Sequence, residues 1–243
     1  MEPYNAATYG ERFADIYDVW HNTCEEAMIT TLTELARGGR ALELGIGTGR
    51  IALPLVANKV DVHGIDASPA MVAKLRAKPG GDRVPVTMGN FADVNVEGDF
   101  SLIFVVFNTF FGLLTQEDQV CCFRNVARHL APDGVFLIEA FVPDPTRFSG
   151  GQAVMANMVM TDQIKLDVSR HEPTEQRVIS QQIFITASGI KLYPVQTRYA
   201  WPSELDLMAR LAGLRLRHRW GGWSREPFTA ESIKHISVYE RAA

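Results

Sequence analysis

Apolar and polar positions along residues 1–142 change period in a regular way. Short apolar runs of strand length fall at 40–44, 60–66, 84–88, 100–107 and 135–141. Between them apolar residues recur every three or four positions, as in Ile51, Leu53, Leu55 and Val56, in Met71, Val72 and Leu75, and over 116–130. Ahead of the first strand, Phe13, Ile16, Tyr17 and Trp20, then Met28, Leu32 and Leu35, predict helix over most of residues 1–36, ended by Gly38-Gly39. The run 100–107 is nearly all apolar, as expected of a strand covered on both faces. Such strand–helix alternation predicts an α/β fold with a parallel, doubly wound sheet. Ligands of these sheets bind outside the carboxyl ends of the strands. Glu43, Asp66, Asn90 and Asn108 all stand at predicted strand ends.

After residue 142 the period drops to two. Strand-like segments fall at about 153–160, 163–169, 177–186 and 190–199, with turns at Glu172-Pro173-Thr174 and Ser188-Gly189. An antiparallel β insertion after strand five, packed as a lid or platform, is the expectation. Ser203 then caps a helix carrying Leu205, Leu207, Met208 and Leu211, and Gly213 stops it. Residues 214–220 and 235–241 read as two final strands paired antiparallel at one sheet edge. The chain thus divides into a helical lid (1–36), a sheet domain (37–142 with 201–243) and the insertion (143–200).

Composition narrows the picture. With 243 residues, 47% hydrophobic and 21% charged, the chain suits one globular domain with an embedded subdomain. A net charge of −4 gives no electrostatic case for a nucleic-acid partner. Arg215, Arg217, His218 and Arg219 read as the polar face of an edge strand. The three cysteines, Cys24, Cys121 and Cys122, form no C-x-x-C, so neither a disulfide framework nor a metal site is expected. Met1-Glu2-Pro3-Tyr4 has no signal-peptide character, and no run approaches a membrane span. The expectation is a cytoplasmic protein with no membrane partner.

The most informative stretch is Glu43-Leu44-Gly45-Ile46-Gly47-Thr48-Gly49-Arg50. Glycines at alternate positions let a backbone turn tightly and approach a ligand. A dinucleotide fingerprint would put its third glycine at position 50, which is arginine. That disfavours a nicotinamide oxidoreductase. The observed Glu-x-Gly-x-Gly-x-Gly resembles motif I of the class I S-adenosylmethionine-dependent methyltransferases. Gly64-Ile65-Asp66-Ala67-Ser68-Pro69-Ala70-Met71 matches the family's second motif, and Gly89-Asn90-Phe91 occupies its third position, with Asn90 where a carboxylate is more usual.

The resemblance implies a Rossmann-like seven-stranded sheet and S-adenosyl-L-methionine as cofactor. It also implies roles for residues. Glu43, Gly45, Ile46, Gly47 and Gly49 would pass under the methionine part. Asp66, with Ala67 and Met71, would serve the ribose. Asn90 and Phe91 would flank the adenine. Phe107 and Asn108 would stand beside the methyl-transfer point. Residues 9–18 are similar to the N-terminal helix of small-molecule N-methyltransferases of the amino-sugar type, which closes over the cofactor. Tyr9 and Tyr17 would then face the methionine end or the acceptor, and Arg12 would pair with the methionine carboxylate. In those enzymes the β insertion shapes the acceptor pocket and often makes a homodimer contact.

The expected function is methyl transfer to a nitrogen or oxygen of a small molecule. A protein that binds the cofactor without catalysis is the alternative. An amine acceptor needs only a group to take its proton, whereas a hydroxyl needs a general base more acutely. Tyr17, His171 and His21 are the candidates for that role. The acceptor itself is not legible.

Overall fold

The computed structural model describes residues 4–21, 24–93 and 95–242. Three short helices come first: α1 (Thr8–Phe13), α2 (Tyr17–Trp20) and α3 (Glu26–Ala36). The alternating part follows as β1 (Arg40–Leu44), α4 (Ala52–Ala57), β2 (Asp61–Asp66), α5 (Pro69–Arg76), β3 (Val86–Met88), β4 (Phe100–Val105), α6 (Gln116–His129) and β5 (Leu130–Phe141). Next come β6 (Gln152–Val159), β7 (Gln163–Glu172), β8 (Arg177–Thr186) and β9 (Gly189–Arg198), then α7 (Pro202–Leu211), β10 (Leu214–Trp220) and β11 (Lys234–Arg241).

The main sheet has seven strands in the order β10-β11-β5-β4-β1-β2-β3. Strands β1 to β5 run parallel, and β11 pairs antiparallel with both β5 and β10. Period-two alternation sorts the side chains into two apolar layers. Leu42, Leu44, Ile103, Val105, Phe136 and Ile138 face one layer with Phe123 of α6 and Leu205 of α7. Ala41, Leu102, Phe104, Val135 and Leu137 face the other with Leu32 of α3 and Leu55 of α4. The order reverses between β1 and β4, so β1, β2 and β4 present their carboxyl ends around one crevice.

The expected elements are present, with three corrections. The N-terminal helix is broken, because the chain bends at Ala14–Ile16 to wrap α5; residues 22 and 23 lie outside the described part. Strand β4 ends at Val105, because Phe107 and Asn108 adopt left-handed backbone angles (φ 58° and 63°) that a strand excludes. Strand β5 starts at Leu130, five residues ahead of the expected run 135–141, because Leu130 pairs with Phe100 across a register shift.

The insertion is a separate antiparallel sheet in the order β6-β7-β8-β9. It packs on the rest of the chain through Val178 and Tyr193 and is also held by a polar cluster. Arg198, 5% exposed at the end of β9, donates to Gln119 Oε1 of α6 (2.6 Å) and to Glu204 Oε1 of α7 (2.8 Å). Glu204 also accepts from Gln116 and Gln176 (both 2.8 Å). Removing one member of a buried ion pair leaves the other without compensation. Arg198→Ala is therefore expected to lower stability by about 3 kcal/mol, read as a drop in the urea midpoint with an unchanged slope. A midpoint that does not move would contradict this role.

Candidate functional site

The crevice begins at the glycine turn. Gly45, Gly47 and Gly49 all have positive φ (76°, 55° and 76°). A Cβ at Gly45 would strike the Thr109 methyl, and one at Gly49 would strike Leu75. A Cβ at Gly47 would meet nothing nearer than the Gly45 carbonyl at 4.0 Å, so this glycine borders open space. The turn is tied to the neighbouring strand end: Asp66 Oδ2 accepts from the Gly47 N–H (2.7 Å), and Oδ1 accepts from the Ser68 N–H (2.8 Å). The Ala67 N–H also donates to this carboxylate, which with three donors keeps acceptor capacity to spare. Burial raises the Asp66 carboxyl above its usual value, opposed by these donors. Ser68 in turn caps α5, accepting from Met71 N–H (3.2 Å). Met71 is buried beneath the lid and Ala67 is half-buried. Ile46 is a core residue whose side chain fills the space over Gly64, so its backbone alone borders the turn.

Glu43 lies at the base of the crevice, 3% exposed. Burial pushes its carboxyl well up, with Arg50 opposing that shift. The Ala52 N–H donates to the carboxylate, and Oε2 has no hydrogen-bond partner. Arg50 is placed over the Phe107 ring (4.8 Å) and donates to the Tyr17 hydroxyl. Its position was not read as functional from the sequence, where it marked only a missing glycine. A basic residue following a glycine turn beside a buried carboxylate is the signal that was available. Arg12, by contrast, is exposed and forms no ion pair among the described residues.

Phe107 and Asn108 end β4 in a strained turn that costs about 1–2 kcal/mol for the phenylalanine. Glu139 secures it. Its Oε2 accepts from the Phe107 N–H (2.9 Å), its carbonyl from the Asn108 N–H (3.3 Å), and its Oε1 from Trp223 Nε1 (3.0 Å). Asn108 Oδ1 accepts from the Phe141 N–H (2.7 Å), so this side chain is structural. Glu139 was not identified from sequence; a single carboxylate within the apolar strand Val135 to Ala140 was its signal. Asn90 is exposed and its Oδ1 accepts from the Ala92 N–H (3.0 Å), with Phe91 half-buried beside it.

The N-terminal helices cover the crevice. Tyr9 stacks on Phe13 (4.3 Å) and meets Tyr17 edge-on (6.5 Å). Burial raises both tyrosine hydroxyls above their ordinary value. His21 packs against Tyr17 (5.0 Å) and edge-on against Phe107 (4.8 Å). Burial, with the charges of Lys165 and Arg50, lowers its imidazole to about 4. His171 lies apart from this group, stacked on Phe148 (4.6 Å) with Nε2 at 2.9 Å from the Tyr199 hydroxyl. Among the described residues no cluster of His, Cys, Asp and Glu is arranged to hold a metal ion.

Three carboxylates fasten this cover. Glu11 Oε1 accepts from Ser68 Oγ (2.7 Å) and the Ala70 N–H (3.0 Å), Asp15 pairs with Lys74 (2.8 Å), and Asp18 pairs with Lys78 (2.8 Å). Asp18 also accepts from the buried Thr48 hydroxyl within the glycine turn (2.6 Å). Gly10 permits the close approach of α1 to Ser68 and Met71. Asp18→Ala is expected to speed hydrogen exchange over residues 8–20 by about tenfold and leave β1 and β4 unchanged. Unaltered exchange over 8–20 would show that this contact does not hold the cover.

A family model described as a methyltransferase domain matches residues 41–134, the span from β1 to the start of β5. The chain is 37% identical to the CcbJ methyltransferase from Streptomyces caelestis, whose structure superposes with a TM-score of 0.91 over 99% of this chain and 100% of that one. It is 29% identical to the cypemycin N-terminal methyltransferase of a Streptomyces species over 84% of each chain. It is also 30% identical to a dTDP-4-amino-2,3,4,6-tetradeoxy-D-glucose N,N-dimethyltransferase from Saccharopolyspora spinosa, over 55% of this chain and 56% of that protein. These matches agree with the glycine turn, the acid ending β2 and the strand order, and the chain belongs to the class I S-adenosylmethionine-dependent methyltransferases.

Proposed function

We propose that the chain transfers the methyl group to an amine nitrogen of a small molecule. The residues present fit S-adenosylmethionine. Gly47 leaves open a space that a Cβ would fill, and Glu43 Oε2 is a buried acceptor without a donor, suited to the methionine ammonium. Asp66 retains lone pairs for a ribose diol. Arg50, rather than the exposed Arg12, is the cation suited to the methionine carboxylate. When bound, this cofactor supplies a methyl group already activated by its sulfonium. The protein's share is to orient the acceptor and exclude water. Helices α1 and α2 serve as the lid, a shorter segment than the expected 1–36 because Met28, Leu32 and Ala36 of α3 pack into the sheet core, and the inner face of the 143–200 insertion bounds the acceptor.

The observation that carries the choice of an amine is His21. It is the imidazole beside Phe107, and a value of about 4 makes it a poor base for a hydroxyl. The Tyr17 hydroxyl, raised by burial, stays protonated at neutral pH. An amine that enters unprotonated needs no strong base, only release of its proton after transfer. Two of the relatives, an N-terminal methyltransferase and an N,N-dimethyltransferase, support the same reading.

Methyl-labelled S-adenosylmethionine with matched panels of amines and phenols tests it. Label should appear on amine nitrogen. The rate should rise with pH through the acceptor's own ionisation, without an inflection near the usual histidine value, because His21 is already neutral above about pH 5. His21→Gln should retain activity within about tenfold. Label confined to hydroxyl acceptors, lost on His21→Gln, would overturn the proposal.

A further inference from the structure

The insertion carries a cation that the cofactor site does not use. Register places Lys165 of β7 beside Phe184 of β8, and Asp167 of β7 beside Gln182 of β8. Phe184 and Tyr193 pack under the lid, so this face of the second sheet looks toward the crevice. Lys165 Nζ sits 4.1 Å from the Trp20 ring centroid and 5.9 Å from that of Phe184. Trp20 and Phe184 are themselves stacked at 4.4 Å. Trp20 precedes His21, which touches Phe107 at the strand end where transfer is expected.

Two features separate Lys165 from a surface lysine. Among the described residues its ammonium has no carboxylate or carbonyl partner. Asp167, two positions on and on the same face, is engaged by the Ser169 hydroxyl instead. Beside it Gln182 Oε1 is buried with no donor, on the same inner face. The cation is also half-withdrawn from water: burial lowers the Lys165 ammonium below its ordinary value, opposed by the charge of Asp167, which lies near without a hydrogen bond to it. Aromatic faces hold such a cation in place but leave its N–H donors unspent. An unpaired ammonium and an unpaired amide oxygen on one wall suit a ligand that carries an anion and a hydrogen-bond donor.

We propose that Lys165 is a specificity residue that binds an oxyanion of the methyl acceptor, so the acceptor is an amine that also carries a carboxylate or phosphoryl group. This rests on the reading of the mouth beside Phe107 as the transfer site. The aromatic wall of Trp20 and Phe184 fixes the ammonium, and the Arg50 guanidinium over Phe107 adds to the positive potential felt at His21. A neutral amine of the same shape lacks the ion pair.

Simple anions test the site without knowledge of the acceptor. Calorimetry first establishes saturation with S-adenosylhomocysteine. The His21 ring signal, assigned with His21→Gln, is then followed by NMR during titration with sodium acetate, inorganic phosphate and, as control, sodium chloride. Acetate or phosphate should shift the signal saturably at millimolar concentration and raise the His21 titration midpoint. Lys165→Met should weaken the response at least about tenfold, Lys165→Arg should keep it, and neither should alter S-adenosylhomocysteine affinity. Tighter acetate marks a carboxylate acceptor, and tighter phosphate a phosphoryl one. No saturable shift beyond that of chloride, or an equal shift in Lys165→Met, overturns the proposal. Failure of S-adenosylhomocysteine to bind would instead strike the methyltransferase reading, and the anion titration on the free protein would still judge Lys165.

Discussion

The hydrogen bond from the Gly47 N–H to the Asp66 carboxylate, 2.7 Å long, joins the two strand ends on which the rest of the site is built. It fixes the glycine turn after β1 against the end of β2. It also fixes where α5 begins, because the other oxygen of the same carboxylate holds the Ser68 N–H and Ser68 caps that helix. The lid then fastens to this unit through Glu11 on Ser68 and Asp18 on Thr48. The glycine turn, the Asp66 carboxylate, the start of α5 and the helices α1 and α2 thus share one network. A change in any member reaches the crevice through one or two hydrogen bonds.

The opposite side of the crevice has its own support. Phe107 holds a left-handed backbone that it disfavours, followed by Asn108, which tolerates it, and the buried Glu139 and the Phe141 N–H pin the turn. This places the Phe107 ring under Arg50 and against His21. Burial, reinforced by the charges of Lys165 and Arg50, keeps the His21 imidazole neutral. A neutral imidazole, protonated phenols and positive potential form the wall that the proposed amine acceptor would meet.

Much of the sheet was legible because period-two and helical spacing are local signals. The runs 40–44 and 60–66 lie within a residue of β1 and β2, and the four strands of the insertion fall close to their expected positions. The glycine turn and Asp66 were legible because their spacing is fixed by the strand–turn–helix geometry itself. What was not legible depends on tertiary contact. Arg50 follows the glycine turn and so carries a local signal, but that Arg12 is turned to solvent follows only from how α1 lies across α5. The turn at Phe107 and Asn108 continued an apolar run, and only Glu139, over thirty residues on, diverts it from strand. Lys165 gains its meaning from Trp20, which comes from the other end of the chain.

The account centres on the glycine turn and Asp66 as a cofactor cradle, and Gly47→Ala tests it most directly. The new Cβ would enter open space, so the folded protein should lose only about 1–2 kcal/mol for a left-handed alanine. Calorimetry should show S-adenosylhomocysteine binding the unmodified protein in the micromolar range. The variant should bind about a hundredfold more weakly, while its far-ultraviolet circular dichroism stays unchanged. Equal affinity in the two proteins would contradict the central claim.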